Sequence, residues 1–216
     1  MRNSLVLNRD KAEGKLRDLF RFGNVKNSIL KDPGYEVYDY VSKFIDLDSE
    51  RSLAIMTKTT FNVYALSENY FDSLVNFARI NDIQRINKYF EAVNSKLPID
   101  GIFVGCVETK SDRKERILNK YPPVLSHIYY FFDFIFKRIF PKLPITKTIY
   151  FKITGGRNRV ISKTETLGRL YSCGFSVIDE CKVNGKLYFV ARKLMNLPLM
   201  MNPLMARFAK CVDLDI

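Results

Sequence analysis

The chain has 216 residues, 47% of them hydrophobic and 27% charged, with 35 Lys/Arg against 23 Asp/Glu and a formal net charge of +12 at pH 7. That length supports one substantial core, and the composition excludes a disordered or low-complexity chain. No run reaches the roughly 18 apolar residues of a bilayer span, and MRNSLVLNRDKAEGKLRDLF places Arg, Asp, Lys and Glu where a signal peptide needs an apolar centre, so a cytoplasmic protein is expected.

Residues 1–50 read as an α-rich entry. After the Pro33-Gly34 turn, Val37, Tyr40, Val41 and Phe44 recur at helical spacing. A short strand over Leu53 to Met56 follows and runs into a Thr-rich turn. YFDSLVNFARI is a second strand, bounded by Asn81 and Asp82. The next helix has the clearest pattern: Ile86, Phe90, Val93 and Leu97 form one stripe, Asn81 or Asp82 can cap it with Gln84 at N3, and Pro98 ends it. GIFVGCV is apolar throughout, as a central parallel strand buried on both faces should be.

Residues 110–148 insert a long basic and aromatic connection, with a charged helix start at KSDRKERILNKY. TIYFKIT, Thr148 to Thr154, reads as another strand before GGRNRV. Ser162 and Glu165 have capping-box spacing and open a helix that stops at Gly174. The last element is a hairpin, FSVIDECKV and KLYFVARK joined by Asn184-Gly185, a strong two-residue turn signal. Alternating strands and helices that close on an antiparallel hairpin predict an α/β fold: a Rossmann-like domain over 51–195 with a mostly parallel sheet, followed by a tail over 196–216. The order resembles that of class I methyltransferase-like folds.

Such folds hold an adenosyl or dinucleotide cofactor where the backbone turns tightly after the first strand, and glycine there lets the ligand approach. Here no glycine lies between Gly34 and Gly101, and no G-x-G occurs. The turns are TKTTFN and ARINDI. No cofactor is therefore the expectation, with S-adenosylmethionine on a non-glycine loop as the alternative. Asn81 and Asp82 are the candidate cofactor contacts, at a strand's carboxyl end, although helix capping also explains them. Asp39 or Asp46 can reach a ribose only as acidic residues otherwise solvated on a helix.

The charge is unevenly placed. Residues 1–109 hold 15 basic and 15 acidic groups, residues 110–169 hold 14 and 4, and residues 170–216 hold 6 and 4. The excess is thus a property of one surface. Seven Phe/Tyr lie between Tyr129 and Phe140, next to Lys137, Arg138 and Lys142. Three readings fit: a core helix, a helix lying in an anionic membrane interface, and a partner-protein surface. In TGGRNRVISK, Gly155, Gly156, Arg157 and Arg159 with the following helix start are candidates for phosphate or another anion. The clustered aromatics argue against nucleic acid. Cys106, Cys173, Cys181 and Cys211 are far apart and only His127 accompanies them, so structural thiols, no metal and no His-based nucleophile are expected.

Five stretches, RINDIQRINKYFEAVN, GIFVGCVET, DFIFKRIFPKLPITKTIYF, GRNRVISKTETLGRLYSCGFSVIDE and NGKLYFVARK, together resemble the amino-terminal region of bacterial sugar transferases of capsule and exopolysaccharide synthesis, seen chiefly in Bacteroides-like bacteria. The resemblance covers about residues 50–195 and is most specific from Asp133 to Asp179. In that family a methyltransferase-like region precedes a domain that transfers a sugar phosphate to a polyprenyl phosphate. NLPLMMNPLMARFAKCVDLDI departs from the family pattern before that domain, so no catalytic residue carries over. The resemblance implies an accessory or scaffold domain near the inner face of the cytoplasmic membrane, partnered by that surface or by a membrane-bound sugar transferase.

Overall fold

The structure, a computed structural model, describes residues 34–196. The α-rich reading of residues 1–33 and the tail beyond 196 lie outside these residues. Among them, five strands form one sheet: β1 (Ser52–Ile55), β2 (Ser73–Arg79), β3 (Ile102–Val107), β4 (Phe175–Val183) and β5 (Lys186–Lys193), in the order β1-β2-β3-β5-β4. β1, β2 and β3 are parallel, while β5 is antiparallel to both β3 and β4. Four strands therefore point one way and β5 returns. This is the expected Rossmann-like, methyltransferase-like α/β class with its antiparallel hairpin.

The hairpin turn follows from its two residues. Asn184 and Gly185 both have positive φ, 50° and 70°, and Val183 pairs directly with Lys186. That is the twist a two-residue loop needs to match the strands. At the centre of the sheet Gly105 faces Phe189 in register, and a Cβ on Gly105 would lie 2.6 Å from the Phe189 ring. Gly105 is thus a strand residue whose missing side chain admits a ring from the neighbouring strand.

One face of the sheet is covered by α2 (Thr60–Tyr64), α3 (Ile86–Lys96) and α7 (Lys163–Ser172). Val63, Ile86, Tyr89, Phe90, Val93 and Leu170 share one cluster with Leu74, Phe103 and Phe189. The other face meets α1 (Tyr35–Ser42), where Val37, Tyr40 and Val41 pack on Ala54, Val75, Val104 and Val190. Each such fully buried side chain contributes about 1.5–3 kcal/mol. The carboxyl end of α3 is closed from the sheet: buried Lys193 donates to the carbonyls of Asn94 (2.7 Å) and Leu97 (2.6 Å).

Two expectations are corrected. Asn81 and Asp82 lie in a 3₁₀ turn, Ile80–Asp82, and do not cap α3, which starts at Ile86 with no side-chain cap at Arg85. Thr148 to Thr154 is not a strand but the second half of α6 (Pro144–Thr154). Pro144 starts that helix at its first turn, Ile145, Ile149 and Ile153 fall on one side, and Gly155, left-handed at φ 60°, stops it. The β-branched residues that imitate a strand here repeat every four positions.

Candidate functional site

The loop after β1 is closed on itself. The Thr57 amide donates to Asn76 Oδ1 at 3.1 Å, and Asn76 Nδ2 donates to the Thr57 carbonyl (2.9 Å) and to Tyr89 Oη (2.6 Å). Thr57 Oγ1 accepts from the Thr59 amide and from Asn62 Nδ2. The Thr57 and Thr59 amides are thus both bonded to protein, and α2 begins at once at Thr60. The parallel strands β1, β2 and β3 also step in one direction, with α2, α3 and α7 all on one face. Among the described residues there is no strand-order reversal to open a cofactor crevice at the carboxyl edge. The residues present do not fit the usual adenosyl cradle.

That carboxyl edge is filled by the chain's own ions. Glu108, 3% exposed, accepts from Arg79 (3.2 Å), Arg113 (3.2 Å) and Arg116 (2.6 Å). Asp82 faces Arg79 at 3.2 Å and Lys58 at 3.7 Å, and accepts from the Asn158 amide. Arg113, 2% exposed, grips Asp133 with two hydrogen bonds of 2.6 and 2.9 Å and donates to Asn158 Oδ1. Burial alone would raise the Asp133 carboxyl, but the hydrogen bonds from Arg113 and Lys137 hold it below the usual range. Asn81 is fully buried and saturated: its Nδ2 donates to the carbonyls of Glu108 and Arg159, and its Oδ1 accepts from the Glu108 amide. Asn81 and Asp82, read as cofactor contacts, are here joints between β2, β3 and the 158–159 loop.

Beside this network lies a cavity of about 390 Å³ lined by Lys137, Arg138, Lys142, Arg159 and Arg169, with Ser162 and Thr164 at the start of α7. Four of the predicted anion contacts, Lys137, Arg138, Lys142 and Arg159, are thus brought together. Gly155, Gly156 and Arg157 are not among the lining residues. The amide of Gly155 donates to the Phe151 carbonyl and that of Gly156 to Thr154 Oγ1, so this pair serves the stop of α6 rather than an anion. Among the described residues the single carboxylate on the wall is Glu165, bonded by Arg138 and by Arg169. Burial would raise it, and the Arg138 charge draws it down.

The aromatic block forms α5 (Pro123–Phe134), a π turn over Ile135–Ile139, a 3₁₀ turn over Phe140–Lys142, and α6. Its polarity is inverted. Ser126 and Asp133 are buried, while Val124, Leu125, Phe131 and Phe132 are 74, 60, 58 and 64% exposed. Ile145, Ile149 and Ile153 on α6 are also exposed. The core-helix reading is therefore corrected: the apolar side faces away from the described residues. Among these residues no helix is long and apolar enough to cross a membrane, and no group of His, Cys, Asp and Glu is arranged to hold a metal ion. Cys106 is buried with its thiol pushed up to about 12 by that burial, and His127 bonds the Pro123 carbonyl.

Sequence reasoning missed Arg79, Glu108, Arg113 and Arg169. The available signal was Asp133, the one acidic residue inside an aromatic run, which required a buried cation as partner.

No family model and no curated protein matches the sequence. Among solved structures the chain is similar to PigF with SAH, at 12% identity and a TM-score of 0.40 over 88% of this chain and 69% of that one. It is also similar to a SAM-dependent methyltransferase, a possible histamine N-methyltransferase, from Thermotoga maritima (11% identity, TM-score 0.37, 59% of this chain) and to a possible exported protein from Bordetella parapertussis (14% identity, TM-score 0.37, 62% of this chain). The chain spans 58% and 42% of those two proteins. Likenesses at this level assign no activity.

Proposed function

We propose that this chain is a docking module without its own cofactor chemistry, which places itself on an anionic membrane surface as an accessory to sugar transfer in exopolysaccharide or capsule synthesis. The observation that carries the reading is the inverted polarity of α5 and α6, with phenylalanines and isoleucines exposed on both and lysines close to α5. Lys110 and Lys114 lie over the Phe134 and Tyr130 rings at 4.8 and 5.8 Å, and the block over 110–169 carries the excess charge. Aromatic and aliphatic side chains enter the headgroup boundary, while each nearby cation contributes about 1 kcal/mol on an anionic surface. The test is flotation with vesicles of phosphatidylglycerol and phosphatidylcholine. The protein should rise with the anionic vesicles at low salt and less so at high salt, and Phe131→Ser with Phe132→Ser should keep it down. Wild-type protein left at the bottom at low salt defeats the proposal. The link to sugar transfer is supported by the sequence resemblance, and it predicts co-purification with a membrane-bound sugar transferase encoded nearby. Isolation of that transferase free of this chain counts against it.

A second reading is S-adenosylmethionine-dependent methyl transfer with a side-chain-lined loop in place of glycine. It is favoured by the mostly parallel sheet that closes on an antiparallel hairpin, the arrangement the sequence predicts. Calorimetric titration separates the two. Saturable micromolar binding of S-adenosylmethionine establishes the second reading and removes the first, and flat heats remove the second.

A further inference from the structure

The carboxylates on α5 and on the helix before it, α4 (Lys110–Lys120), are committed to other cations. Asp112 and Glu115 face Lys182, and Asp133 faces Arg113 and Lys137. Lys110 and Lys114 are exposed beside them. Among the described residues neither ammonium lies within ion-pair distance of a carboxylate; each is held instead over an aromatic ring of α5, Lys110 at 4.8 Å from the Phe134 centroid and Lys114 at 5.8 Å from that of Tyr130.

The two contacts form a pair of rungs. Lys110 and Lys114 are four residues apart on α4, and Tyr130 and Phe134 have the same spacing on α5, with ring centroids 6.1 Å apart. Side chains at that spacing are neighbours on a helix surface, about 5–6 Å apart at Cβ. Like charges so placed repel, and the ring faces are the countercharge they meet. The rungs also border the outward side of α5, because Phe131, 58% exposed, lies three residues from Phe134 and is its surface neighbour. Charge and exposed apolar area therefore adjoin in the order in which a lipid carries its headgroup and its chains.

Resting on the membrane reading above, we infer that Lys110 and Lys114 together hold the phosphate of one lipid headgroup and select a phosphate monoester over a diester. A lysine ammonium binds phosphate as a point charge and offers three donors. Two of them side by side match a monoester, which carries about 1.5 to 2 negative charges at pH 7. A diester carries a single charge and leaves one ammonium without its counterpart. The acyl chains of the bound lipid run along Phe131 and the outward side of α5.

The experiment is co-sedimentation of the full chain with phosphatidylcholine vesicles that carry either phosphatidic acid, a monoester, or phosphatidylglycerol, a diester, matched in total negative charge. Wild type should bind the phosphatidic acid vesicles about tenfold more tightly, as expected for one further charge-assisted contact. Lys110→Gln with Lys114→Gln should bring the two affinities within about twofold of each other. Its circular dichroism should stay that of wild type, since both side chains are exposed. Lys152→Gln with Arg157→Gln removes the same charge at two exposed positions away from the rungs, and should weaken both affinities alike while keeping the preference. Wild type that sediments equally with both vesicles overturns the headgroup site and leaves membrane docking standing. Wild type that sediments with neither overturns both. Equal loss of preference in the two double variants also overturns the site, because it means a diffuse basic surface. Glycerol 3-phosphate at matched ionic strength should leave the protein on the phosphatidic acid vesicles. Its release there identifies a soluble phosphate ester as the ligand and overturns the lipid.

Discussion

Arg113 is the residue whose removal tests most directly how the carboxyl edge is held. Its guanidinium is 2% exposed and donates to Asp133 twice, to Glu108 and to Asn158. In Arg113→Met the hydrophobic stem is roughly conserved, but Asp133 keeps only Lys137 and Glu108 keeps Arg79 and Arg116. Removing one member of a buried pair leaves an uncompensated charge and costs about 3–5 kcal/mol. For a chain of this size, at about 2–4 °C per kcal/mol, the melting temperature should fall by about 6–20 °C. The assay is thermal and urea unfolding, with Arg51→Met as control. Arg51 pairs with Asp72 at 2.5 Å, but both side chains are more than half exposed, so the control should melt like wild type. A double-mutant cycle with Asp133→Asn should give a coupling of about 1–3 kcal/mol, since the two residues share one interaction. A loss below about 1 kcal/mol for Arg113→Met, or one equal to that of Arg51→Met, refutes the view that this network holds the edge together.

Three further outcomes follow from the same geometry. Asp133 and Glu165 both have folded-state values below their unfolded ones, despite burial, because of Arg113 and Lys137 on one and Arg138 on the other. Their stabilisation is therefore complete above the unfolded carboxyl range, about pH 4–5, and is lost as pH falls through the lower folded values; urea midpoints should be flat near neutrality and drop in acid, and a midpoint rising on acidification contradicts the pairing. Asn81→Ala strips three hydrogen bonds from a fully buried site, so it should cost about 2–4 kcal/mol in unfolding, a loss visible without any ligand. Gly168→Ala places a methyl in open space within a helix and should raise stability by about 0.5–1 kcal/mol; a lower melting temperature would mean the position is packed.

The fold was legible where a pattern had one physical solution. Asn184-Gly185 between two β-rich runs could only be a tight hairpin, and the stripe of α3 could only face a sheet. The error at Thr148 to Thr154 came from composition. Ile, Tyr, Phe and Thr favour strands, yet without a neighbouring strand to pair with, Pro144 and the four-residue repeat of isoleucines decide for a helix. The anion site was half legible. Lys137, Arg138, Lys142 and Arg159 were chosen for their charge, but Arg169 enters the same cavity from α7, and only the tertiary fold brings it there. Gly155 and Gly156 were misread because a helix stop and an anion-binding turn use the same residue type. The Glu108 network left only Asp133 as a trace in the sequence, since its cations come from β2 and from the helix over Lys110–Lys120.

Asp133 connects the two features on which the functional reading depends. It is the one carboxylate of α5, and Ser126 seven residues earlier lies on the same buried side. Turning α5 by half a revolution would bury Phe131 and Phe132 and recover hydrophobic energy of about 1.5–3 kcal/mol for each ring. The same turn would carry Asp133 away from Arg113 and leave that guanidinium buried with less countercharge, at a cost of about 3–5 kcal/mol. The two terms are comparable in aqueous surroundings, so the ion pair is strong enough to hold the rings outward. When an apolar phase meets the outer side, the rings are buried there as well and the conflict disappears. The outward rings and the inward Asp133 are then satisfied at once, which is the condition that the proposed membrane docking would meet.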